Sequence, residues 1–281
     1  FEIHKSKFKR ALILFFIISC FSWVFQKTIS HYFVVDNISY EFTRIITSGS
    51  FFIIGYLLHR KFSFRDFKKV GIAFYLNKSL NLKKVFKMIG NNLDFIHIDL
   101  VDNSFSKNKV KNDIAILKKI KSLWPEHVIQ THIMSKNPTK WIKEVIEYSD
   151  ILYIHWEIKE NLDVVRKMVL SSGKKFGVAI TLKTPPKKIL KILKKSSNLL
   201  ILSIDDPGFS GQRFNFKAFD YIDFFNDLNF RNQFRICVDG GVDKNIIKIL
   251  NADDVVSNSA ILGSNNPADE IAKFQATKYN G

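Results

Sequence analysis

The pattern of apolar and polar positions changes character near residue 67. Before that point apolar residues come in long unbroken runs: 11–25 contains no charged side chain, and Ile45 to Leu58 is a second uncharged run. From residue 70 onward, short apolar runs alternate with amphipathic, Lys-rich segments. Short continuous runs suit strands buried on both faces, and the amphipathic stretches between them suit helices with one apolar stripe. The predicted strands are 70–76, 94–99, 127–132, 151–155, 175–180, 199–204, 234–238 and 253–256. The predicted helices are 80–90, 112–123, 138–148, 160–171, 185–195, 216–228, 243–250 and 267–275. Eight alternations in about 210 residues predict a closed (β/α)8 TIM barrel. An open doubly wound sheet would want a Gly-rich phosphate turn after its first strand, and Leu76-Asn-Lys-Ser79 is not one. The expected organisation is therefore a membrane hairpin at 1–66 and a barrel at 67–281.

The membrane expectation rests on the flanks of the two long runs. Each uncharged core is shorter than the roughly 20 residues that a spanning helix needs. The first extends through Gln26–Val35 and the second extends back through Ile38–Thr43. Lys5, Lys7, Lys9 and Arg10 precede the first run, and Arg60, Lys61, Arg65, Lys68 and Lys69 follow the second. The only Lys or Arg in the connection are Lys27 and Arg44. Positive charge concentrates on the cytoplasmic side, so both ends are expected there, giving a two-span, multi-pass membrane protein with a cytoplasmic barrel. Trp23, Tyr32, Tyr40 and Tyr56 are placed to sit near the interfaces. The first run lacks a small-residue cleavage site and a second run follows it, which argues against a signal peptide. A pair of buried soluble helices is the alternative. The chain starts at Phe1 rather than Met, so further residues are expected before it. The stretch Gly55-Tyr-Leu-Leu-His-Arg-Lys-Phe-Ser-Phe-Arg65 resembles the GtrA-like family of small membrane proteins, over about 7–66. That family usually has four spans, whereas two are evident here. The resemblance implies a lipid bilayer as partner and a link to lipid-linked sugars.

Charge and cysteine content narrow the partners. The formal charge is +17, and residues 1–69 alone carry 11 Lys/Arg against 4 Asp/Glu. The excess is densest beside the apolar runs, which suits a membrane better than a nucleic-acid groove. No RNP, zinc-finger or helix-turn-helix signature is visible, so no nucleic-acid partner is expected. Lysines in the second part fall mostly at the polar positions of helices, as solvated faces do. Cys20 and Cys237 permit neither a disulfide framework nor a Cys-based zinc site.

A barrel carries its chemistry at the C-terminal ends of its strands. There the sequence offers His97 and Asp99, two apart and so on one side of the second strand. It also offers His132 on the third strand and Asp239 on the seventh. Two imidazoles and two carboxylates suit one divalent metal ion: Zn, Fe or Mn. A strand-end His is often a satisfied polar group, and a strand-end Asp is often a helix cap. Four at matched ends of one barrel are a stronger signal. Glycine loops follow the last three strands: Gly208, Ser210 and Gly211, then Gly240 and Gly241, then Asn258 and Ser259. Backbone N–H groups there can approach an oxyanion, so a phosphate seat is expected.

Five stretches together resemble the ribulose-phosphate 3-epimerase family, in its order and at its spacings, over about 70–275. They are Phe95-Ile-His-Ile-Asp-Leu-Val-Asp102, Thr131-His-Ile-Met-Ser-Lys-Asn-Pro138, Asp206-Pro-Gly-Phe-Ser-Gly-Gln-Arg-Phe214, Val238-Asp-Gly-Gly-Val242 and Ser259-Ala-Ile-Leu-Gly263. The resemblance implies His97, Asp99, His132 and Asp239 as metal ligands, Asp99 and Asp239 as the acid/base pair, a phosphorylated sugar substrate and self-association into homo-oligomers. His155-Trp-Glu157 resembles the family's His-x-Glu and is expected to back or pack the site rather than ligate. The sequence departs from the family at Phe74-Tyr75 in place of Pro-Ser, Val101-Asp-Asn103 in place of Met-Asp-Gly, Ser203 in place of Met, and Asn258-Ser259 in place of Gly-Ser. The expected pocket departures are thus Tyr75, Val101, Ser203 and Asn258. They raise a related ketose phosphate beside ribulose 5-phosphate. Two other readings stay open: an adaptor whose altered barrel binds sugar phosphate without turnover, and an aldolase using Lys183.

Overall fold

Eight parallel strands among the described residues close into a barrel. They are β1 (Lys69–Tyr75), β2 (Phe95–Val101), β3 (Val128–Met134), β4 (Ile151–His155), β5 (Lys175–Thr181), β6 (Asn198–Leu202), β7 (Arg235–Asp239) and β8 (Asp254–Val256). Each strand pairs with its sequence neighbours, and β8 returns to β1 through Lys69↔Asp254 to Gly71↔Val256. The barrel helices are α1 (Leu82–Ile89), α2 (Ile114–Leu123), α3 (Thr139–Val145), α4 (Leu162–Ser171), α5 (Leu190–Leu193), α6 (Lys217–Asn226), α7 (Ile246–Ile249), α8 (Ser259–Leu262) and α9 (Pro267–Ala276). This computed structural model describes residues 13, 16–25, 27–28, 45–46, 48–50, 52–55, 68–76, 81–107, 111–209, 211–277 and 279. The chain divides into two units, Phe1–Asp66 and Phe67–Gly281.

Helix starts fall one or two residues inside several predicted boundaries for a local reason. Asn81, Asp113 and Asn161 belong to the polar lead-in, and each turns its side-chain oxygen onto a backbone N–H of the first turn. Such residues cap rather than extend a helix. The predicted helix 185–195 becomes a 3-10 turn, Pro186–Ile189, followed by the four-residue α5. Two successive prolines there remove backbone donors and delay the α-helical ladder.

Side-chain alternation along the strands makes two cores. Ile72, Phe74, Ile96, Ile98, Val178 and Ile180 face outward into the layer shared with the helices. Ala73, Phe95, Tyr153, Ala179, Leu200 and Cys237 face inward and fill the barrel. Burial on both faces explains why the strands read as unbroken apolar runs. The inner packing sets an aromatic ring against a glycine across neighbouring strands: Phe95 opposite Gly71, and Tyr153 opposite Gly177. A methyl group on Gly177 would lie 2.4 Å from the Tyr153 ring. Gly177→Ala is therefore expected to destabilise the barrel by about 1–3 kcal/mol through overpacking. A urea titration would show it as a lower midpoint with an unchanged slope.

In the N-terminal unit, the described residues 16–25, 45–46, 48–50 and 52–55 are helical, as the long apolar runs predict. No helix among the described residues is long and apolar enough to cross a membrane. The segment joining the two runs, the leading basic cluster and the Tyr56–Arg65 motif lie outside the described residues. Cys237 is buried within the barrel and Cys20 is exposed.

Candidate active site

Alternation on β2 points Phe95, His97 and Asp99 into the barrel, and on β3 it does the same for Gln130, His132 and Met134. Asp239 reaches the same mouth as the last residue of β7. The strands thus deliver the four predicted ligands to one place, all buried. One ligand atom from each lies within 4.8 Å of all the others. His97 Nε2 stands 3.5 Å from Asp99 Oδ1 and 3.8 Å from Asp239 Oδ2. His132 Nδ1 stands 3.2 Å and 3.5 Å from the same two oxygens. Ligand atoms about 2 Å from one cation lie roughly 3–4 Å apart, so the set fits a divalent ion. The fit is sharpened by His97 Nε2, which is buried, faces both carboxylates and makes no hydrogen bond. A buried nitrogen without a partner is costly unless something occupies its lone pair.

The electrostatics of the cluster follow from burial and proximity. Burial alone would push the Asp99 carboxyl up, but a hydrogen bond with His132 and the nearby His97 imidazole hold it well below the usual carboxylate range. For His132, burial pulls down, while hydrogen bonds to Asp239 and Asp99 hold it at about 9. Tyr75, opposite Asp99 in the β1–β2 register, has its phenol pushed far up by burial and then by the two aspartates. It stays a neutral donor at any working pH.

Behind His132 stands a second layer. His132 Nε2 lies 2.8 Å from His155 Nε2, and His155 Nδ1 lies 3.0 Å from Glu157 Oε2. His97 Nδ1 faces Gln130 Oε1 at 3.4 Å. The spacing that signals Gln130 is legible afterwards: it shares inward parity with His132 and Met134. Sequence reasoning passed over it because an isolated Gln in an apolar strand carries no motif.

A cleft opens above the cluster. Its lining includes Tyr75, Asp99, Met134, Gly208, Gly211, Asp239, Gly240, Gly241, Asn258 and Ser259. Most of the predicted phosphate-seat residues therefore border the same cleft as the carboxylates; Ser210 lies outside the described residues. Gly208, Gly211, Gly240 and Gly241 all have positive φ. At Gly241 the constraint is also steric, since a Cβ would meet the Phe214 backbone nitrogen at 2.3 Å. Asn258 turns its Nδ2 onto the Ala73 carbonyl at 3.1 Å. Two expected pocket departures have other duties. The Ser203 hydroxyl donates to the Asp239 carbonyl at 2.8 Å and lies 2.6 Å from that of Gly240, tying the end of β6 to the end of β7. Val101 is fully buried and packs where a Cβ on Gly208 would otherwise be. Gln212, given no role from sequence, staples its loop by donating to the Asp206 and Phe209 carbonyls at 2.7 and 2.8 Å. Lys183 is exposed on the loop after β5, which removes the geometry an inner Schiff-base lysine needs.

Comparison with known proteins agrees with this geometry. The sequence model of the ribulose-phosphate 3 epimerase family matches residues 74–262. The ribulose-phosphate 3-epimerase of Buchnera aphidicola is 31% identical over 207 residues, covering 70% of this chain and 89% of that protein. That of Bacillus subtilis is 26% identical over 192 residues, covering 66% of this chain and 87% of its own length. Among solved structures, 3-hexulose-6-phosphate synthase from Salmonella typhimurium superposes with a TM-score of 0.57 at 16% identity, over 74% of this chain and 97% of that one. That last likeness speaks to the barrel alone. The chain belongs to the ribulose-phosphate 3-epimerase family.

Proposed function

We propose that this chain is a membrane-anchored, metal-dependent sugar-phosphate 3-epimerase, converting ribulose 5-phosphate or a related ketose phosphate into its C3 epimer. As an isomerase acting on a carbohydrate, it must remove the proton on C3 from one face and return a proton to the other. The observation that carries this reading is the convergence of Asp99 and Asp239, with His97 and His132, beneath a cleft whose far wall is built of glycine loops. A divalent ion held by the four side chains would supply positive charge where oxyanion character builds up as the C–H bond breaks. Asp99 and Asp239 act as the paired base and acid, each bringing a carboxylate into the cleft from a different strand. Backbone N–H groups around Gly240 and Gly241 are suited to receive the phosphate, which fixes the sugar so that C3 lies between the carboxylates. Tyr75 donates from its neutral phenol toward the sugar hydroxyls, where the family has a Ser; this change, with Asn258, favours a substrate shape other than that of the ordinary pentose.

The anchor is supported by the N-terminal unit. Phe16, Ile17, Phe21, Trp23 and Val24 on the first helix, and Phe52 and Ile53 on the second, are large apolar side chains in the open. So many large apolar side chains in the open ask for a partner, and the flanking basic residues fit an anionic bilayer surface facing the cytoplasm. One fractionation tests both halves. The full chain is expected to sediment with membranes, to resist carbonate extraction, and to epimerise ribulose 5-phosphate in that fraction. A carbonate-extractable chain would remove the anchor. A membrane fraction without turnover of any ketose phosphate would leave the adaptor reading in its place.

A further inference from the structure

We propose that His155 and Glu157 form a directional hydrogen-bond relay that presents His132 to the metal site through Nδ1, making both of them positioning residues for that site. This rests on the metal-site reading above and goes beyond it by assigning work to two residues outside the ligand set.

The direction of the relay follows from its far end. Glu157 Oε1 accepts from the Thr181 backbone N–H at 2.9 Å, the Thr181 hydroxyl at 2.8 Å and the Thr184 hydroxyl at 2.5 Å. Three donors on one oxygen favour the ionised group. Burial pulls the Glu157 carboxyl up, but its hydrogen bonds hold it at about 2, so it is an acceptor only. The other oxygen, Oε2, then accepts from His155 Nδ1 at 3.0 Å. In a neutral ring with its hydrogen on Nδ1, Nε2 carries the lone pair. That lone pair sits 2.8 Å from His132 Nε2, which must be the donor. A neutral His132 is left with a bare Nδ1, and Nδ1 is the nitrogen aimed at Asp99 and Asp239. The anion at the far end also makes His132 a more basic ligand, since partial negative charge is passed along both rings.

The relay is held sideways as well as end-on. The Phe105 ring lies 4.4 Å from the His155 ring, and Lys136 lies 4.9 Å over Phe105 while donating to the Glu157 carbonyl at 2.7 Å. His97 is oriented differently: it turns Nδ1 to Gln130 and offers Nε2 to the cluster. The two histidines thus present opposite nitrogens, and the group behind each ring decides which.

The test compares His155→Gln, His155→Phe and Glu157→Gln with wild type in the full chain, using Co²⁺ alone as the probe. Affinity is read by chelator competition and the site by visible absorption of bound Co²⁺; melting curves without metal establish folding. A Gln side chain can still place an acceptor oxygen near the position of His155 Nε2, whereas Phe keeps the packing and removes the acceptor. The relay predicts that His155→Phe weakens Co²⁺ binding by about 10–100-fold, that Glu157→Gln weakens it by about tenfold, and that His155→Gln falls least. A packing role predicts the reverse order, with Phe tolerated against Phe105 and Gln not. Wild type that binds, with His155→Phe as tight as His155→Gln or tighter, overturns the relay alone. Wild type that takes up no Co²⁺ overturns the metal-site reading itself.

Discussion

Asp239→Asn and Asp99→Asn are each expected to lower epimerase turnover by about 10²–10⁴-fold, the range a positioned acid/base group contributes. Asn keeps the shape of the side chain and an oxygen for a cation, so the loss should fall on kcat more than on metal content. The two variants should also differ from each other in a way that simple damage would not produce. Inversion needs one carboxylate on each face of C3, and these two reach the cleft from β2 and β7. In heavy water the wild-type chain should wash deuterium into C3 of both epimers. Each Asn variant should retain exchange into the one epimer whose proton faces the surviving carboxylate, and lose it in the other. Opposite epimers retained by the two variants would establish the pairing. Turnover surviving in either variant, or both variants exchanging the same epimer, would sink the two-base assignment.

How much of this was legible beforehand depends on which force sets each feature. The strand and helix order was readable because every strand is buried on both faces, so that runs such as Phe95–Val101 stand out against Lys-rich helices. The cluster of His97, Asp99, His132 and Asp239 at one mouth was readable because strand-end positions at matched topology leave few alternatives for where these side chains go. What Ser203 and Val101 touch was not legible, because parity along a strand does not say which neighbouring loop a side chain at or beyond its end meets. Ser203 is captured by two carbonyls of the β7 turn, and Val101 by the close approach of Gly208. The relay behind His132 was only half visible: His155-x-Glu157 is a motif, but its threonine anchors come from β5 and the turn beyond it, more than 20 residues away in sequence.

Loading the site with a divalent ion should stabilise the chain strongly, and the gain should grow with pH. An ion present at about 1,000 times its dissociation constant adds about 4 kcal/mol to stability. For a barrel of this size that is an upward shift in the melting midpoint of about 10 °C. The pH dependence follows from His132. Without the ion, the folded protein holds this ring at about 9, above its ordinary 6.5. A group raised on folding stabilises fully below its unfolded value, and that contribution is lost as pH rises through the folded value. Between about pH 6.5 and 9 the ion-free chain should therefore lose stability. The ion needs His132 Nδ1 deprotonated, so binding expels the proton that the ion-free chain retains and becomes tighter over the same interval. The two curves should diverge: midpoints with and without Zn²⁺ close together at pH 6 and widely separated at pH 8.5. Chelation should abolish turnover at either pH and re-addition should restore it. A gap that narrows as pH rises would mean that the cation binds elsewhere than at His132, since a ligand that must shed a proton can only bind harder as protons become scarce.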